Sequence, residues 1–140
     1  MRLWHKDLIK HLPRKQLVAQ WRECVLIAKL LAKDGTPNHI LVNKIVDYPC
    51  SHFESYGHMV YDEMKRREYS VKESTLKKFD DYINEWRNNR KDSPKYIGSM
   101  SWFFYWHTLR YFNQCMLNLQ EKYDCGGITS DEWKEICKLV

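Results

Sequence analysis

Residues Pro13-Arg14-Lys15-Gln16-Leu17-Val18-Ala19-Gln20-Trp21-Arg22-Glu23-Cys24-Val25-Leu26-Ile27-Ala28-Lys29-Leu30-Leu31-Ala32-Lys33 decide the fold. Leu17, Trp21, Cys24, Val25, Ala28 and Leu31 recur at helical spacing and make one apolar face, so the stretch reads as an amphipathic helix. Pro13 suits its first turn, and Asp34-Gly35-Thr36-Pro37 ends it. Gln16, Gln20 and Glu23, spaced i, i+4, i+7, form a polar stripe opposite that face, with Lys15 and Arg22 beside it. By itself such a stripe is what a solvated helix face looks like.

The rest of the chain follows the same pattern. His39 to Val46 reads as a short helix or an extended piece, closed by Pro49. Ser51-His52-Phe53-Glu54 reads as a capping box opening a helix to about Arg67, and Ser70-Val71-Lys72-Glu73 as a second one opening a helix to about Arg90. Lys91 to Ser99, with Pro94 and Gly98, reads as a loop. An aromatic-rich helix is expected from about Ser101 to Tyr123, ended by Gly126-Gly127, then a short last helix capped by Ser130 and ending near Leu139. Strand-like alternation is nearly absent, so the expected fold is all-α, one compact domain (1–140) of about five or six helices.

Composition bounds the function. At 140 residues the chain has the length of one ordinary domain, and 44% hydrophobic residues suffice for a core. A net charge of +5 permits a polyanionic partner without requiring one. The five cysteines, Cys24, Cys50, Cys115, Cys125 and Cys137, are odd in number and form no C-x-x-C pair, which argues for reduced thiols over a disulfide framework or a zinc site. Met1 to Lys15 has no apolar core of a signal peptide, and the run Trp102 to Trp106 is far too short to span a membrane. There is no phosphate-binding glycine loop, no G-x-S-x-G and no H-E-x-x-H. The six histidines, His5, His11, His39, His52, His58 and His107, are scattered, and each taken singly reads as structural or exposed.

The informative resemblance lies in the first helix. Leu17-Val18-Ala19-Gln20-Trp21-Arg22-Glu23 resembles the Leu-Met-Ala-Glu-Tyr-Arg-Glu segment of pyrimidine-dimer DNA glycosylases of the endonuclease V type, at the same distance from the start of the chain. The opening Met1-Arg2-Leu3-Trp4-His5, then Leu12-Pro13-Arg14, Gln16-Leu17 and Arg22-Glu23-Cys24, is similar to the cellular branch of that family. So are His39 with Val42-Asn43, and His58 followed by Glu63-Met64-Lys65. The likeness covers roughly residues 1 to 70.

This resemblance implies a single helical domain acting as a DNA-repair glycosylase and AP lyase on double-stranded damaged DNA, without metal or organic cofactor. The N-terminal amine, here that of Met1, is the implied nucleophile, and the family's catalytic carboxylate falls on Glu23. Arg22 is the implied DNA contact before it. Arg2, Arg14, Lys15 and Gln16 are further candidate DNA contacts, and His5, His39, Asn43 and His58 are candidate substrate-pocket residues. A second group of cations, Lys65, Arg66, Arg67, Arg87, Arg90, Lys91 and Lys95, reads first as solvated surface. The expected setting is cytoplasmic and nucleoid-associated, prokaryotic or viral, with a monomer sufficing and no membrane partner. The chemistry fits the groups: an α-amine has a reference pKa of about 7.7–8.0, so about a tenth is neutral at pH 7, where a lysine would need a large shift. A carboxylate beside it stabilises the positive charge that develops on the sugar and moves protons.

The chain departs from the family at four places. Its second residue is Arg2, too large for ready removal of Met1, which leaves one extra residue before Glu23, about 3.3–3.6 Å of chain. Lys15-Gln16 stands where phage-type enzymes have Gln-His. Arg67-Glu68-Tyr69 stands where the cellular branch usually has Arg-Gly-Tyr. Beyond residue 70 the family's lesion-contacting aromatics have no clear counterpart, and Trp102-Phe103-Phe104-Tyr105-Trp106 reads mainly as core. Pyrimidine dimers are the family's substrate, with another damaged or modified base open. So are two other readings: a DNA-binding protein or AP-site-only lyase of the same fold, and a helical protein-interaction module.

Overall fold

A computed structural model of the chain describes residues 1–98 and 100–140. Its first long element, α1, runs Arg14–Asp34 behind Pro13 and ends at Gly35, whose φ of 74° is left-handed and whose N–H returns to the Leu31 carbonyl. α2 (Cys50–Arg66), α3 (Glu73–Asn89), α4 (Leu109–Asp124) and α5 (Ser130–Cys137) follow. Two 3-10 helices, Lys6–His11 and Asn43–Asp47, precede α1 and α2. The second of these resolves the segment His39 to Val46, and among the described residues there is no strand, so the fold class is all-α as expected.

The core is built where α1, α2 and α3 meet. α1 buries Leu17, Gln20, Trp21, Cys24, Ile27, Ala28 and Leu31. The expected face is therefore correct except that Val25 is half-buried and Ile27 and Gln20 join it. The Trp21 ring lies 5.3 Å from that of Tyr61 and 5.5 Å from that of Phe79, and its Nε1–H donates to the Thr75 hydroxyl at 3.1 Å. Gly57 on α2 permits this packing, because a Cβ there would run into the Phe79 ring.

Helix boundaries differ from the sequence expectation in informative ways. Neither Ser51 nor Ser70 caps a helix. α2 starts one residue earlier, at Cys50 behind Pro49, and α3 starts at Glu73 after Lys72, both without a side-chain cap. The chain leaves α2 through a turn in which Tyr69 N–H returns to Met64 O and Glu68 N–H to Lys65 O, so Ser70 still belongs to the exit. α5 is capped by Thr129 rather than Ser130, in a reciprocal box with Glu132.

The expected helix from Ser101 is the largest correction. Trp102 to Trp106 are turns, and α4 begins at Leu109 with Thr108 as its cap. Phe103 has φ +55°, which no right-handed helix accommodates. Its side chain is fully buried and its N–H donates to His52 Nδ1 at 3.2 Å. Trp106 is buried as well, while Phe104 and Tyr105 are exposed. The loop expected over Lys91 to Ser99 is free of helix as far as Gly98; Ser99 lies outside the described residues.

Candidate active site

The first residues of the chain are tied down. Arg2 to Trp4 run along α1, and each of their carbonyls receives a side-chain donor from a different helix. Gln20 Nε2 of α1 donates to Arg2 O at 3.0 Å, Tyr111 of α4 to Leu3 O at 2.6 Å, and Tyr56 of α2 to Trp4 O at 2.6 Å. Trp4 N–H donates in turn to Gln20 Oε1 at 2.8 Å. Burial pushes the Tyr56 and Tyr111 hydroxyls well above the usual phenol range, so both remain donors. A chain terminus would otherwise fray.

Anchoring Arg2 to Trp4 brings Met1 to a cleft of about 880 Å³, lined by Arg2, Trp4, Arg14, Lys15, Gln16, Val18, Ala19, Arg22, Glu23, Asn118 and Lys122 as well as Met1. Met1, Glu23 and all five candidate DNA-contact residues therefore share one cavity. Cations dominate its lining, with Glu23 the one carboxylate among its residues. Arg14 is held by stacking over the Tyr69 ring, 4.4 Å from its centroid, and Arg2 lies 5.5 Å from the Trp4 ring centroid. Gln16 Oε1 is buried without a hydrogen-bond partner among the described residues.

The four candidate pocket residues do not reach this cleft. His5 is buried beside His107, donating through Nε2 to the His107 carbonyl at 3.0 Å, while its Nδ1 accepts from Asp7 N–H. His39 and Asn43 organise the loop after α1, where Asn43 Oδ1 accepts the His39 N–H at 2.9 Å. His58 joins α2 to α3 through Asp80, at 2.6 Å, and lines a separate cavity with Lys10, Ser55 and Trp102.

Several secondary basic candidates are structural. Arg67 binds Glu63 and donates to the Leu12 and Lys10 carbonyls at 2.7 and 3.1 Å, tying the end of α2 to the turn that enters α1. Arg66 also pairs with Glu63, whose carboxyl is held below the ordinary range by both guanidiniums against the opposing effect of burial. Arg90 donates to the Tyr48 and Val46 carbonyls, and Arg87 pairs with Glu54. On α1, by contrast, Lys15, Arg22, Lys29 and Lys33 are all exposed, and among the described residues none pairs with a carboxylate.

Sequence reading missed Trp4, Gln20, Asn118 and Lys122 as parts of the site. Gln20 carried a signal. It stands three residues after Leu17 and four before Cys24, within the apolar arc, where a polar side chain must find a buried partner. Asn118 and Lys122 carried none, because only the tertiary fold sets α4 beside α1.

A small all-α protein with a cation-lined cleft built around its own first residues has the form of an enzyme or binder of a polyanion. The sequence profile of the family described as pyrimidine dimer DNA glycosylase matches residues 1–77, more than half of the chain, and the chain belongs to that family. The matched region supplies α1, α2 and every lining residue of the cleft except Asn118 and Lys122. No curated protein and no solved structure matches the chain. The activity that defines the family is cleavage of the glycosyl bond at pyrimidine dimers in DNA, which makes this chain a DNA-repair glycosylase. Among the described residues no helix is long and apolar enough to cross a membrane.

Proposed function

We propose that the chain is a bifunctional glycosylase and AP lyase that opens pyrimidine-dimer sites in duplex DNA through an imine on the Met1 amine. The observation that carries this reading is that Met1 and Glu23 line one cleft amid cationic side chains. The neutral amine attacks C1′ of the damaged nucleotide. A C–N bond forms, and the bond to the base breaks with its electron pair leaving on the base, which takes up a proton. The amine loses a proton, the sugar ring opens at O4′, and an iminium remains at C1′. Loss of a C2′ proton then expels the 3′ phosphate and nicks the strand. Glu23 stabilises the cationic sugar and shuttles these protons. Exposing C1′ requires bending the duplex and flipping a base out of the stack, and Arg2, Arg14, Lys15, Arg22 and Lys122 are the side chains suited to holding the bent backbone. One copy supplies all of these groups, so a monomer suffices.

Borohydride trapping tests the reading, because the hydride it delivers to an iminium links protein to DNA permanently. The substrates are a duplex with a cyclobutane thymine dimer and one with an abasic site. The proteins are the native chain, Glu23→Gln, and a chain acetylated at its N-terminus. Native protein is expected to trap on both duplexes and acetylated protein on neither. Glu23→Gln is expected to lose at least about 10²-fold on the dimer duplex, the scale of a positioned proton-transfer group. Trapping confined to the abasic duplex would leave an AP-site lyase, and trapping on neither would remove the imine mechanism.

A further inference from the structure

We propose that Gln20 and Tyr56 form a clamp that sets the reach of the N-terminal amine toward Glu23, acting as positioning residues for imine formation. The inference rests on the amine reading above and concerns residues that touch neither DNA nor the reacting atoms.

Gln20 lies on α1 one turn before Glu23, so any group bonded to its side chain is referenced to the helix that carries the carboxylate. Its amide is used at both ends. The oxygen takes the Trp4 N–H at 2.8 Å and the nitrogen gives to the Arg2 carbonyl at 3.0 Å. This two-point contact fixes both the register and the facing of an otherwise extended segment. The reverse orientation of the amide would set donor against donor at Trp4, so the assignment is unambiguous. Tyr56 adds a third point from α2, donating to the Trp4 carbonyl at 2.6 Å with its oxygen 3.1 Å from Gln20 Oε1. Gln20 is 1% exposed and Tyr56 fully buried, so water does not compete for the bonds at Trp4, while the bond to the Arg2 carbonyl is part-buried.

The clamp leaves only Met1 beyond its last bonded carbonyl. A slip of one residue in an extended segment moves the amine by about 3.3–3.6 Å, and misplacement of about 1 Å at a reacting group can cost on the order of 10²-fold in rate. Released from Gln20, the amine would remain chemically intact and be delivered to C1′ in few of its conformations.

The experiment is single-turnover borohydride trapping on an abasic duplex at saturating protein, with Gln20→Met, Gln20→Glu and Tyr56→Phe beside the native chain. Duplex affinity and hydrogen exchange at the Trp4 amide are measured on the same proteins. Gln20→Met keeps the volume and removes both bonds; it is expected to trap about tenfold or more slowly at unchanged duplex affinity, with loss of Trp4 amide protection. Tyr56→Phe, which deletes one hydroxyl, is expected to move both readings the same way by less, and it decides the matter should Gln20→Met fail to fold. Gln20→Glu retains the acceptor for Trp4 and regains the donor for Arg2 only when protonated. Its trapping rate relative to native is therefore expected to rise as pH falls at a constant folded fraction, followed by circular dichroism on the same samples, which separates the regained donor from relief of a buried charge. Native-rate trapping by variants whose Trp4 amide has become labile would overturn the clamp alone. Failure of the native protein to trap would overturn the amine reading and the clamp with it.

Discussion

At the scale of single residues, the imidazoles show how burial replaces the roles that sequence suggests for them. His5 read as a pocket residue, yet it lies with His107 in the core, where each ring has a fixed hydrogen-bonding duty. His107 Nδ1 accepts from Lys6 N–H at 2.9 Å, which requires the ring to be neutral. Burial first, then the charges of His5 and Lys6, lowers its pKa to about 2; burial likewise lowers those of His5 and His52. An unfolded histidine titrates near 6.5, so below that pH the unfolded chain binds protons that the folded one refuses, and stability falls as pH falls. His107 alone contributes a slope of about 1.4 kcal/mol per pH unit, or about 2 kcal/mol between pH 6.5 and pH 5. His107→Gln retains an acceptor for Lys6 N–H and does not titrate. Urea unfolding of this variant is expected to show a shallower loss of stability over that interval than the native chain, and an unchanged slope would mean that His107 charges without unfolding. Sequence could not reveal this, because a histidine's partners lie far along the chain: His5 and His107 meet across about a hundred residues. Met1, Arg22 and Glu23 were named through the family resemblance, since nothing in their spacing joins residue 1 to residue 23, and Gln20 was half legible, recognised as polar but assigned to solvent.

At the scale of elements, helix existence followed from periodicity, whereas helix ends followed from chemistry that short motifs imitate. The capping boxes at Ser51 and Ser70 have the right residue types, but Pro49 starts α2 a residue too early for the first, and the exit from α2 displaces the second. That exit is itself unusual. Tyr69 N–H to Met64 O and Glu68 N–H to Lys65 O make the six-to-one and five-to-two pair that normally ends on glycine, and here Glu68 occupies the left-handed position at φ 62°. A non-glycine residue there costs roughly 1–2 kcal/mol, of which the greater unfolded-state freedom of glycine cancels roughly 0.5–1. Glu68→Gly is therefore expected to stabilise the protein by about 0.5–1 kcal/mol, read as a rise of a few degrees in Tm; a fall would mean that the Glu68 side chain makes a favourable contact exceeding the backbone strain. The Trp102 to Trp106 segment escaped periodic analysis for a related reason. Five aromatics in a row satisfy any helical template, and only the left-handed Phe103, buried against His52, reveals that the chain turns.

At the scale of the whole molecule, a net charge of +5 states how many cations are in excess and nothing of where they lie. The fold separates them by use. Arg66, Arg67, Arg87 and Arg90 are consumed by carboxylates or backbone carbonyls, and Lys15, Arg22, Lys29 and Lys33 are left exposed on α1. At 100° per residue these four fall within about 40° of one another, along about 27 Å of helix starting at the cleft. Such a row matches the axial length of about eight base pairs at 3.4 Å each, and DNA engaged at the cleft is expected to continue along α1. Lys15 and Arg22 were legible as a stripe; Lys29 and Lys33 obey the same arithmetic but stood apart from any motif. Phosphate contacts release counterions, so each one that forms adds about −0.9 to the slope of log K against log salt. Replacing Lys29 and Lys33 together with Gln is expected to weaken binding to every duplex alike, damaged or not, and to reduce the slope by nearly 2 between about 50 and 200 mM salt. Binding anisotropy on matched dimer-containing and undamaged duplexes measures both effects. An unchanged slope would confine the DNA to the cleft, whereas a loss restricted to the dimer duplex would mean that these lysines read the distortion of the lesion rather than follow the backbone.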